Sequence, residues 1–353
     1  MKILFGVFDW GLGHATRDIP LIDALLKRGN SVDIISTGRA LKLLRKHFND
    51  KCKYFDVPSI SSPYTKSSLF AFSFVFSIPT MLSTLKNARK LTAEIIGKEK
   101  YDKIISDCRY DVYDTPDNSY LINHQLRFKA PFIIQEILEF WLKYAMNKYR
   151  YVLVPDYEKN DLSGALSHKM LFFDKSKIKY IGIISNLKKK NVKKDIDYFI
   201  SLSGPEPQRT ILENKILSQI NFLKGKIVIA GGNPDAENKK LGKNVKFKSF
   251  FTRKEQEDNM NKAKFIITRT GYTTILELAE LGIKDALLIP TPGQTEQEYL
   301  GNYFEKKRYF HHVHQDKLDL KKDIIKARGF KGFKPAWKTK ESVRKFLKII
   351  YSE

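Results

Sequence analysis

The amino-terminal segment from Lys2 to Asp18 constrains the fold more than any other part of the sequence. Its apolar run, Ile3 to Phe8, predicts a buried β-strand, and Gly11 and Gly13 predict a tight turn directly after it. A helix is predicted from Thr16 onward, where apolar residues recur at helical spacing. Such a strand–loop–helix unit puts its loop at the carboxyl edge of a parallel sheet, which is where ligands bind in folds of this class.

A histidine, His14, is predicted in that loop, between Gly13 and the start of the helix. A histidine at this edge can titrate near neutral pH and can face a ligand. The glycines alone say little about the ligand, because Thr16 stands where a dinucleotide-binding fingerprint has its third glycine. The loop by itself therefore does not predict a dinucleotide site.

The composition sets the broad class of the protein. With 353 residues, the chain is long enough for two domains, each with its own core. The formal net charge of +24 favours nucleic acid, an anionic membrane surface or a phosphorylated substrate as partner, and a lysine-rich solvated surface explains it equally well. The two cysteines, Cys52 and Cys108, are far apart and outside any Cys-x-x-Cys motif, which argues for a reducing compartment and against structural zinc.

The sequence shows no secretory leader and no stretch of about 20 apolar residues, so we expect a cytoplasmic protein without a transmembrane helix. Strands and helices alternate along both halves, which predicts an α/β fold with parallel sheets covered by helices on both faces. A basic stretch without periodicity, residues 188–194, is the predicted linker. The expected domains are therefore 1–187 and 188–335, followed by an amphipathic helix in 336–353.

An aspartate ends a predicted strand that runs from Tyr101 to Asp107. An acid at the carboxyl end of a strand lies on the ligand edge of the sheet, so Asp107 could reach His14. Capping of the next turn explains Asp107 equally well. Both interpretations stay open at the level of the sequence.

The turn at 269–271 is the most chemically suggestive feature of the second half. Gly271 allows close approach of the backbone to a ligand, and the following helix offers free N–H groups and its positive dipole end to an anion. Thr270 and Thr273 add hydroxyl donors, and Glu277, one turn deeper, can accept from the hydroxyls of a ribose. The alternative interpretation is an ordinary helix amino terminus with a glutamate in the helix interior.

A phenylalanine-rich stretch, residues 69–79, precedes a basic segment that contains Lys86, Arg89 and Lys90. One interpretation is a buried helix or strand of the core. The other, which we favour, is an exposed apolar patch that enters a membrane while the basic residues contact lipid headgroups.

Three motifs of the chain resemble those of the GT-B glycosyltransferases, in the UDP-sugar-dependent branch that includes the N-acetylglucosaminyltransferase completing lipid II. Gly-Leu-Gly-His-Ala-Thr-Arg at 11–17 is similar to the acceptor loop of that family and to the same loop in uncharacterised archaeal relatives. Arg269 to Glu277 is similar to the Arg-x-Gly-x-x-Thr-x-x-Glu donor motif. Pro290, Gln297 with Glu298, and Asn302 are similar to the sugar-recognition helix. The motifs span both halves in the order that the family has.

The resemblance implies a fold and a set of site residues. The fold would be two Rossmann-like domains that face each other across a cleft, with a carboxyl-terminal helix crossing back to the first domain. His14 would be the catalytic base, oriented by Asp107, in the acceptor loop of Gly11, Gly13 and Thr16. The implied donor-binding residues are Ser203, Gly204, Gly232, Asn233, Phe250, Phe251, Arg269, Thr270, Gly271, Thr273, Glu277, Gln297 and Glu298.

Within this set, the resemblance gives each group a role. Glu277 would bind the ribose, Thr270, Gly271 and the helix start the diphosphate, and Gln297 with Glu298 the donor sugar. Phe250 or Phe251 would line the uracil pocket, and Ser203, Gly204, Gly232 and Asn233 the cleft. The enzyme would be a hexosyltransferase that needs no metal and no cofactor beyond the UDP-sugar. Its acceptor would carry a hydroxyl, as in a lipid or lipid-linked glycan at the inner face of the cell membrane.

Two other functions compete with this one. A nucleotide-sugar 2-epimerase would share the fold but would want additional acids in the cleft. A nucleic-acid-binding protein would follow from the charge alone, but the sequence has no recognised module of that kind, so nucleic acid is not the expected partner. Three nearby histidines, His311, His312 and His314, suggest a metal, but with no acid or cysteine evident beside them in the sequence, a cluster at a strand end is the expected explanation.

Overall fold

The computed structural model describes residues 1–60, 70–129 and 132–352, and side chains only outside 70–79, 132 and 133. The chain forms two compact units. The first extends to Asn186 and also includes the segment from Ala336 to the carboxyl terminus. The second is the run Leu187–Pro335.

The first unit is built on a parallel sheet of seven strands in the order β3-β2-β1-β4-β5-β6-β7. The strands are β1 (Lys2–Val7), β2 (Ser31–Ser36), β3 (Cys52–Asp56), β4 (Lys103–Asp107), β5 (Ser119–Ile122), β6 (Tyr151–Val154) and β7 (Ile178–Tyr180). The helices of this unit that precede Asn186 are α1 (Gly13–Lys27), α2 (Gly38–Phe48), α3 (Phe70–Glu99), α4 (Phe132–Met146) and α5 (Ala165–His168). The order of strands reverses between β1 and β4.

The second unit repeats this plan with a parallel sheet of six strands in the order β10-β9-β8-β11-β12-β13. The strands are β8 (Ile196–Ser201), β9 (Ile227–Ala230), β10 (Val245–Lys248), β11 (Ala263–Arg269), β12 (Ala286–Ile289) and β13 (His311–His312). The helices are α6 (Gln208–Leu217), α7 (Arg253–Lys262), α8 (Tyr272–Leu281), α9 (Thr295–Lys307) and α10 (Leu320–Ala327). Here the order reverses between β8 and β11. The prediction of two parallel-sheet α/β domains is confirmed.

The last helix, α11 (Thr339–Tyr351), packs in the core of the first unit. Its apolar face of Phe346, Leu347 and Ile350 is buried against residues of β1 and α1, such as Ile3 and Ile19. The spacing of these apolar residues is helical, which is why the sequence predicts the helix and its buried face. The predicted return of the carboxyl-terminal helix to the first domain is confirmed.

One prediction about local structure is wrong, and another concerns residues that lie largely outside the described part of the chain. Helix α1 begins at Gly13 rather than Thr16, so His14 lies in the first helical turn and not in the loop before it. The stretch after Phe70 is helical, as part of α3, but residues 61–69 and the side chains of 70–79 lie outside the described residues, and with them the phenylalanines of the predicted membrane patch. Among the helices that are described, none has the length and apolar character required to cross a membrane.

Candidate active site

The polar residues of the first unit gather where its strand order reverses. Strand β1 leads through the loop of Gly11, whose φ is +76°, into α1, and its neighbour β4 ends at Asp107. In open parallel sheets, the crevice at such a reversal binds ligands, because the loops on either side diverge to opposite faces. Thr16 is buried and its hydroxyl donates to the Gly13 carbonyl at 3.0 Å, so it stabilises the first turn of α1.

His14 and Asp107 meet at this point. The Nδ1 atom of His14 lies 2.8 Å from the Asp107 carboxylate, which is completely buried, while 13% of the His14 side chain is exposed. Among the described residues, Nε2 of His14 has no hydrogen-bond partner. An imidazole that donates from Nδ1 to a carboxylate presents Nε2 as the proton acceptor, which is the arrangement of a general base.

Arg17, which the sequence interpretation left without a role, binds the same carboxylate. It is buried, its Nε donates to Asp107 at 3.1 Å, and its Nη2 forms a second ion-pair contact with the other oxygen. Its Nη1 lies 3.1 Å from Nδ1 of His124, a buried residue that follows β5. The motif at 11–17 could have drawn attention to Arg17, but only the fold brings it to a partner 90 residues away.

The electrostatics of the cluster keep His14 neutral and Asp107 ionised. Burial lowers the pKa of His14 below its ordinary 6.5, and Arg17 adds to this effect while Asp107 opposes it. Burial raises the pKa of Asp107, but the charge and hydrogen bonds of Arg17 and His14 outweigh it and hold that pKa well below its usual range. At neutral pH, the site therefore contains a neutral imidazole held by a carboxylate, as general-base catalysis requires.

The side chains of His14, Asp107 and Cys108 also have the proximity of a metal site, with one ligand atom of each within 4.8 Å of the others. However, both carboxylate oxygens of Asp107 already contact the fixed cation Arg17. Burial raises the pKa of the Cys108 thiol well above its ordinary value, which disfavours the thiolate that binds metals. The donor set fits a hydrogen-bonded base better than a metal centre.

In the second unit, Arg269 is a buried cation without a carboxylate partner in the described part of the chain. Its guanidinium donates to backbone carbonyls instead, those of Ser203 at 3.2 Å, Gln208 at 2.8 Å and Pro290 at 3.2 Å. Burial lowers its pKa to about 10, so it remains charged at neutral pH. An uncompensated buried cation creates a positive potential that favours an anionic ligand nearby.

Two buried hydroxyls lie close to this cation in the sequence. Thr270 follows Arg269 directly, and Thr291 follows Pro290, whose carbonyl accepts a hydrogen bond from the Arg269 guanidinium. In the described residues, neither Oγ1 has a hydrogen-bond partner. Thr270 also precedes α8, which has Gly271 as its N-cap residue and no side-chain capping bond. Orphaned hydroxyls beside an uncapped helix start are typical of a site that a phosphate completes.

Thr273 and Glu277 lie on α8 itself. Thr273 is partly exposed in the first turn, and Glu277 is buried, with one oxygen paired to Arg253 of α7 at 2.5 Å. The other Glu277 oxygen and the remaining lone pairs can still accept hydrogen bonds. The sequence interpretation did not include Arg253, which is the first residue of α7.

Gln297 and Glu298 bind the loop that precedes their own helix. Gln297 Oε1 accepts from the Thr291 N–H at 2.9 Å, and Glu298 Oε1 accepts from the Gly293 N–H at 3.1 Å. Their side chains therefore shape the β12–α9 loop next to Thr291. A contact of Gln297 or Glu298 with a donor sugar would therefore be made beside this loop.

The two phenylalanines of the predicted base pocket have different environments. Phe251 is buried and stacks on Phe199 at 6.1 Å between ring centroids, so it belongs to the core, whereas Phe250 is 37% exposed. Of the predicted cleft residues, Gly204 has a φ of +111° and a side chain there would contact the Thr291 hydroxyl. A side chain at Gly232 would collide with a backbone carbonyl, and Asn233 Oδ1 accepts from the Asp235 N–H at 3.0 Å.

The histidine cluster has acidic partners, contrary to the interpretation of the sequence. Nδ1 of His311 lies 2.8 Å from Glu305 and its Nε2 lies 3.3 Å from Asp323. Both acids come from flanking helices, α9 and α10, so their proximity was not evident from the sequence around the histidines. The expected position at a strand is borne out, since β13 consists of His311 and His312.

Two family descriptions match the chain. The first, glycosyl transferase family 1, matches residues 1–115, and the second, the glycosyltransferase family 28 C-terminal domain, matches residues 208–348. These ranges contain His14 with Asp107 and Arg269 with Glu277, respectively.

Curated relatives and solved structures agree with these descriptions. Uncharacterized glycosyltransferases of Methanosarcina mazei and Methanosarcina acetivorans are each 24% identical, over 88% of this chain and 84% of their own length. Among solved structures, the glycosyltransferase of kitacinnamycin has a TM-score of 0.66 at 12% identity, over 92% of this chain and 90% of that one. MurG of Acinetobacter baumannii has a TM-score of 0.57 at 10% identity, over 99% of both chains. The spinosyn rhamnosyltransferase SpnG complexed with thymidine diphosphate has a TM-score of 0.63 at 13% identity, over 99% of this chain and 96% of that one.

Proposed function

Since the chain belongs to the GT-B glycosyltransferases, we propose that it moves a hexose from a UDP-sugar to an acceptor hydroxyl, with His14 as the base. The observation that carries this proposal is the His14–Asp107 contact of 2.8 Å at the strand reversal of the first unit. Nε2 of His14 takes the proton of the acceptor hydroxyl, and the oxygen attacks the anomeric carbon of the donor. The bond from that carbon to the diphosphate breaks, and UDP leaves with the electron pair.

The donor half of the reaction falls to the second unit. The diphosphate is stabilised as it leaves by the α8 amino terminus, by the Thr270 and Thr291 hydroxyls and by the buried charge of Arg269. Glu277 accepts hydrogen bonds from both hydroxyls of the ribose. This favours UDP over deoxythymidine diphosphate, whose sugar lacks the 2′-hydroxyl. The SpnG structure described above contains thymidine diphosphate. These donors can stabilise the diphosphate by themselves, so the proposed reaction does not require a metal.

Calorimetric titration with UDP, UDP-sugars, GDP and deoxythymidine diphosphate tests the donor proposal. We expect UDP to bind most tightly and Glu277→Ala to weaken it about tenfold or more, because a charge-assisted hydrogen bond is lost. Glu237→Ala is the matched control, since Glu237 is an exposed acid of the same unit. Failure of the wild-type protein to bind any of these nucleotides would contradict the proposed function.

We also propose that the enzyme acts at an anionic membrane surface, where a lipid acceptor would be available. The support comes from a described patch on α4, where Ile137, Phe140 and Tyr144 are all more than 60% exposed. Phe172 lies beside them, with its ring centroid 6.4 Å from that of Phe140. Buried Glu139 accepts the Phe172 N–H at 3.0 Å and so fixes this loop against the helix.

Basic groups accompany this α4 patch. Nζ of Lys148 lies 4.9 Å from the centre of the Tyr144 ring, and Lys169 is exposed shortly before the loop of Phe172. A clustered apolar surface with lysines beside it suits the boundary between anionic headgroups and acyl chains. Of the basic residues first considered, Lys86 and Lys90 are exposed, whereas Arg89 donates to the Tyr113 carbonyl at 2.7 Å.

Co-sedimentation with phosphatidylglycerol vesicles tests the membrane proposal. We expect binding at low salt that weakens as salt rises and is absent with phosphatidylcholine alone. The double variant Phe140→Ser/Phe172→Ser should lose this binding, whereas Phe222→Ser should keep it, because Phe222 is 62% exposed in the other unit. Wild-type protein that ignores the anionic vesicles at low salt would refute the proposal.

A further inference from the structure

A second histidine, His124, lies beside His14 and Asp107 at the carboxyl edge of the first sheet. It follows β5, which pairs with β4 so that Ile122 is opposite Asp107. His124 is therefore two residues beyond the level of Asp107. It is buried, and its ring centroid lies 5.8 Å from that of His14. The reaction outlined above makes no use of His124.

The turn that contains His124 is held by hydrogen bonds on both sides of this residue. The Gln125 N–H donates to Oδ1 of Asn123 at 2.9 Å, which closes a turn around His124. The Leu126 N–H donates to the Leu166 carbonyl at 2.7 Å. Contacts within the chain thus fix the backbone at His124.

The contact between Arg17 and His124 determines which nitrogen of the His124 ring carries a proton. Nη1 of Arg17 lies 3.1 Å from Nδ1 of His124. A guanidinium has five N–H donors and no acceptor, so Nδ1 is the acceptor of this hydrogen bond. In a neutral imidazole the other nitrogen is the donor, so the ring proton of His124 is on Nε2.

The bond to His124 gives all three nitrogens of the Arg17 guanidinium a hydrogen-bond acceptor. Nε donates to Oδ2 of Asp107 at 3.1 Å, and Nη2 donates to Oδ1 of the same carboxylate. Two-point pairing of a planar guanidinium with a carboxylate fixes the orientation of both groups. The third bond, from Nη1 to His124, opposes rotation of the guanidinium away from Asp107.

A competing contact shows why this orientation matters for the base. Nη2 of Arg17 also lies 3.0 Å from Nδ1 of His14, and that same Nδ1 lies 2.8 Å from Asp107. Nδ1 either accepts from Arg17 or donates to Asp107, because it cannot do both at once. Only donation to Asp107 leaves Nε2 of a neutral ring unprotonated, as a general base requires.

We propose that His124 is a positioning residue, which keeps the guanidinium of Arg17 on Asp107. Nδ1 of His14 then donates to Asp107, and its Nε2 is left to take the proton of the acceptor hydroxyl. Without His124, Nη1 of Arg17 would be a buried donor without a partner, and the guanidinium would turn toward Nδ1 of His14. This inference rests on the proposed function, since it concerns the same base.

The ring protons of the histidines test this proposal without any sugar. In protein labelled with nitrogen-15 histidine, two-bond proton–nitrogen NMR spectra at pH 7.5 show which nitrogen of each ring carries the proton. The signals that disappear in His14→Gln and in His124→Asn assign the two rings. We expect the wild-type protein to carry the proton on Nδ1 of His14 and on Nε2 of His124.

Substitution of His124 separates a positioning role from a merely structural one. His124→Asn keeps a hydrogen-bond acceptor at the place of Nδ1, so His14 should keep its proton on Nδ1. His124→Leu removes that acceptor, and the ratio of the Nε2–H form to the Nδ1–H form of His14 should rise about tenfold or more. UDP affinity, measured by calorimetry, should be unchanged in both variants. His47→Leu is the matched control, since His47 is a 42% exposed histidine of the same unit, and it should alter neither readout.

Two results would overturn the inference. One is a proton on Nδ1 of His124 in the wild-type spectrum, which decides the matter even if the variants do not fold. The other is an unchanged His14 ring in His124→Leu, or in His124→Gln if the leucine variant does not fold, because the glutamine amide lies one bond further from the backbone. A protein that shows the expected ring protons but binds no nucleotide would retain this inference and lose the proposed function.

Discussion

At the scale of single residues, the chemistry of the first unit depends on how one buried carboxylate distributes its hydrogen bonds. Asp107 holds the imidazole of His14 and pairs with Arg17, so it fixes both a neutral base and a permanent cation in one place. The low pKa of His14 means that the imidazole stays unprotonated to below pH 6.5. A base of this kind is ready to accept a proton over the whole neutral range.

The pH dependence of the transfer reaction follows from this. A base with a lowered pKa works when deprotonated, so we expect the rate to hold at neutral pH and to fall only below the ordinary histidine value of 6.5. His14→Gln should reduce kcat about 100-fold or more and abolish the acid limb, while UDP affinity is unchanged. Measurement of UDP release against pH checks this, and a half-maximal rate above pH 6.5 would contradict the assigned environment.

At the scale of elements, the proposed anion site joins the start of α8 to the β12–α9 loop, and both parts have unsatisfied groups when no ligand is bound. Thr270 and Thr291 bury hydroxyls that have no partner among the described residues. Such groups lower the stability of the free protein. This loss of stability is consistent with a ligand that supplies the missing hydrogen-bond partners.

Replacement of these two hydroxyls separates binding from stability. Thr270→Val and Thr291→Val remove a hydroxyl but keep the shape, so the free energy of unfolding should stay equal or rise slightly. UDP affinity should fall about fivefold or more for each, because a hydrogen bond to phosphate is lost. Thermal unfolding and calorimetry of the same samples check this, and unaltered affinity in both variants would exclude these residues from the donor site.

The sequence predicts such elements well where they depend on local patterns. The periodicity of α11 and the Arg269–Gly271 turn were evident, because apolar spacing and glycine act over a few residues. The start of α1 was predicted three residues late, since Gly13 and His14 are weak helix formers and the contact of His14 with Asp107 is a tertiary one. The pairing of Arg17 with Asp107 joins residues 90 positions apart, and no local pattern contains it.

At the scale of the whole molecule, the first unit contains both ends of the chain, and α11 supplies part of its core. Phe346 is completely buried there. We expect Phe346→Ala to lower the free energy of unfolding of this unit by about 3–5 kcal/mol, the usual cost of such a cavity. Denaturant titration checks this, with Ile325→Ala of α10, which is 69% exposed, as the variant that should change little.

The position of α11 also bears on how the protein is made. A ribosome releases the chain from its amino terminus, and domains generally fold in that order. Here the described residues of the second unit form one continuous run that is finished at Pro335, whereas the first unit still lacks α11 at that moment. The core of the half that is synthesised first is therefore completed only after the second unit has been synthesised, when α11 reaches the β1–α1 side of the first sheet.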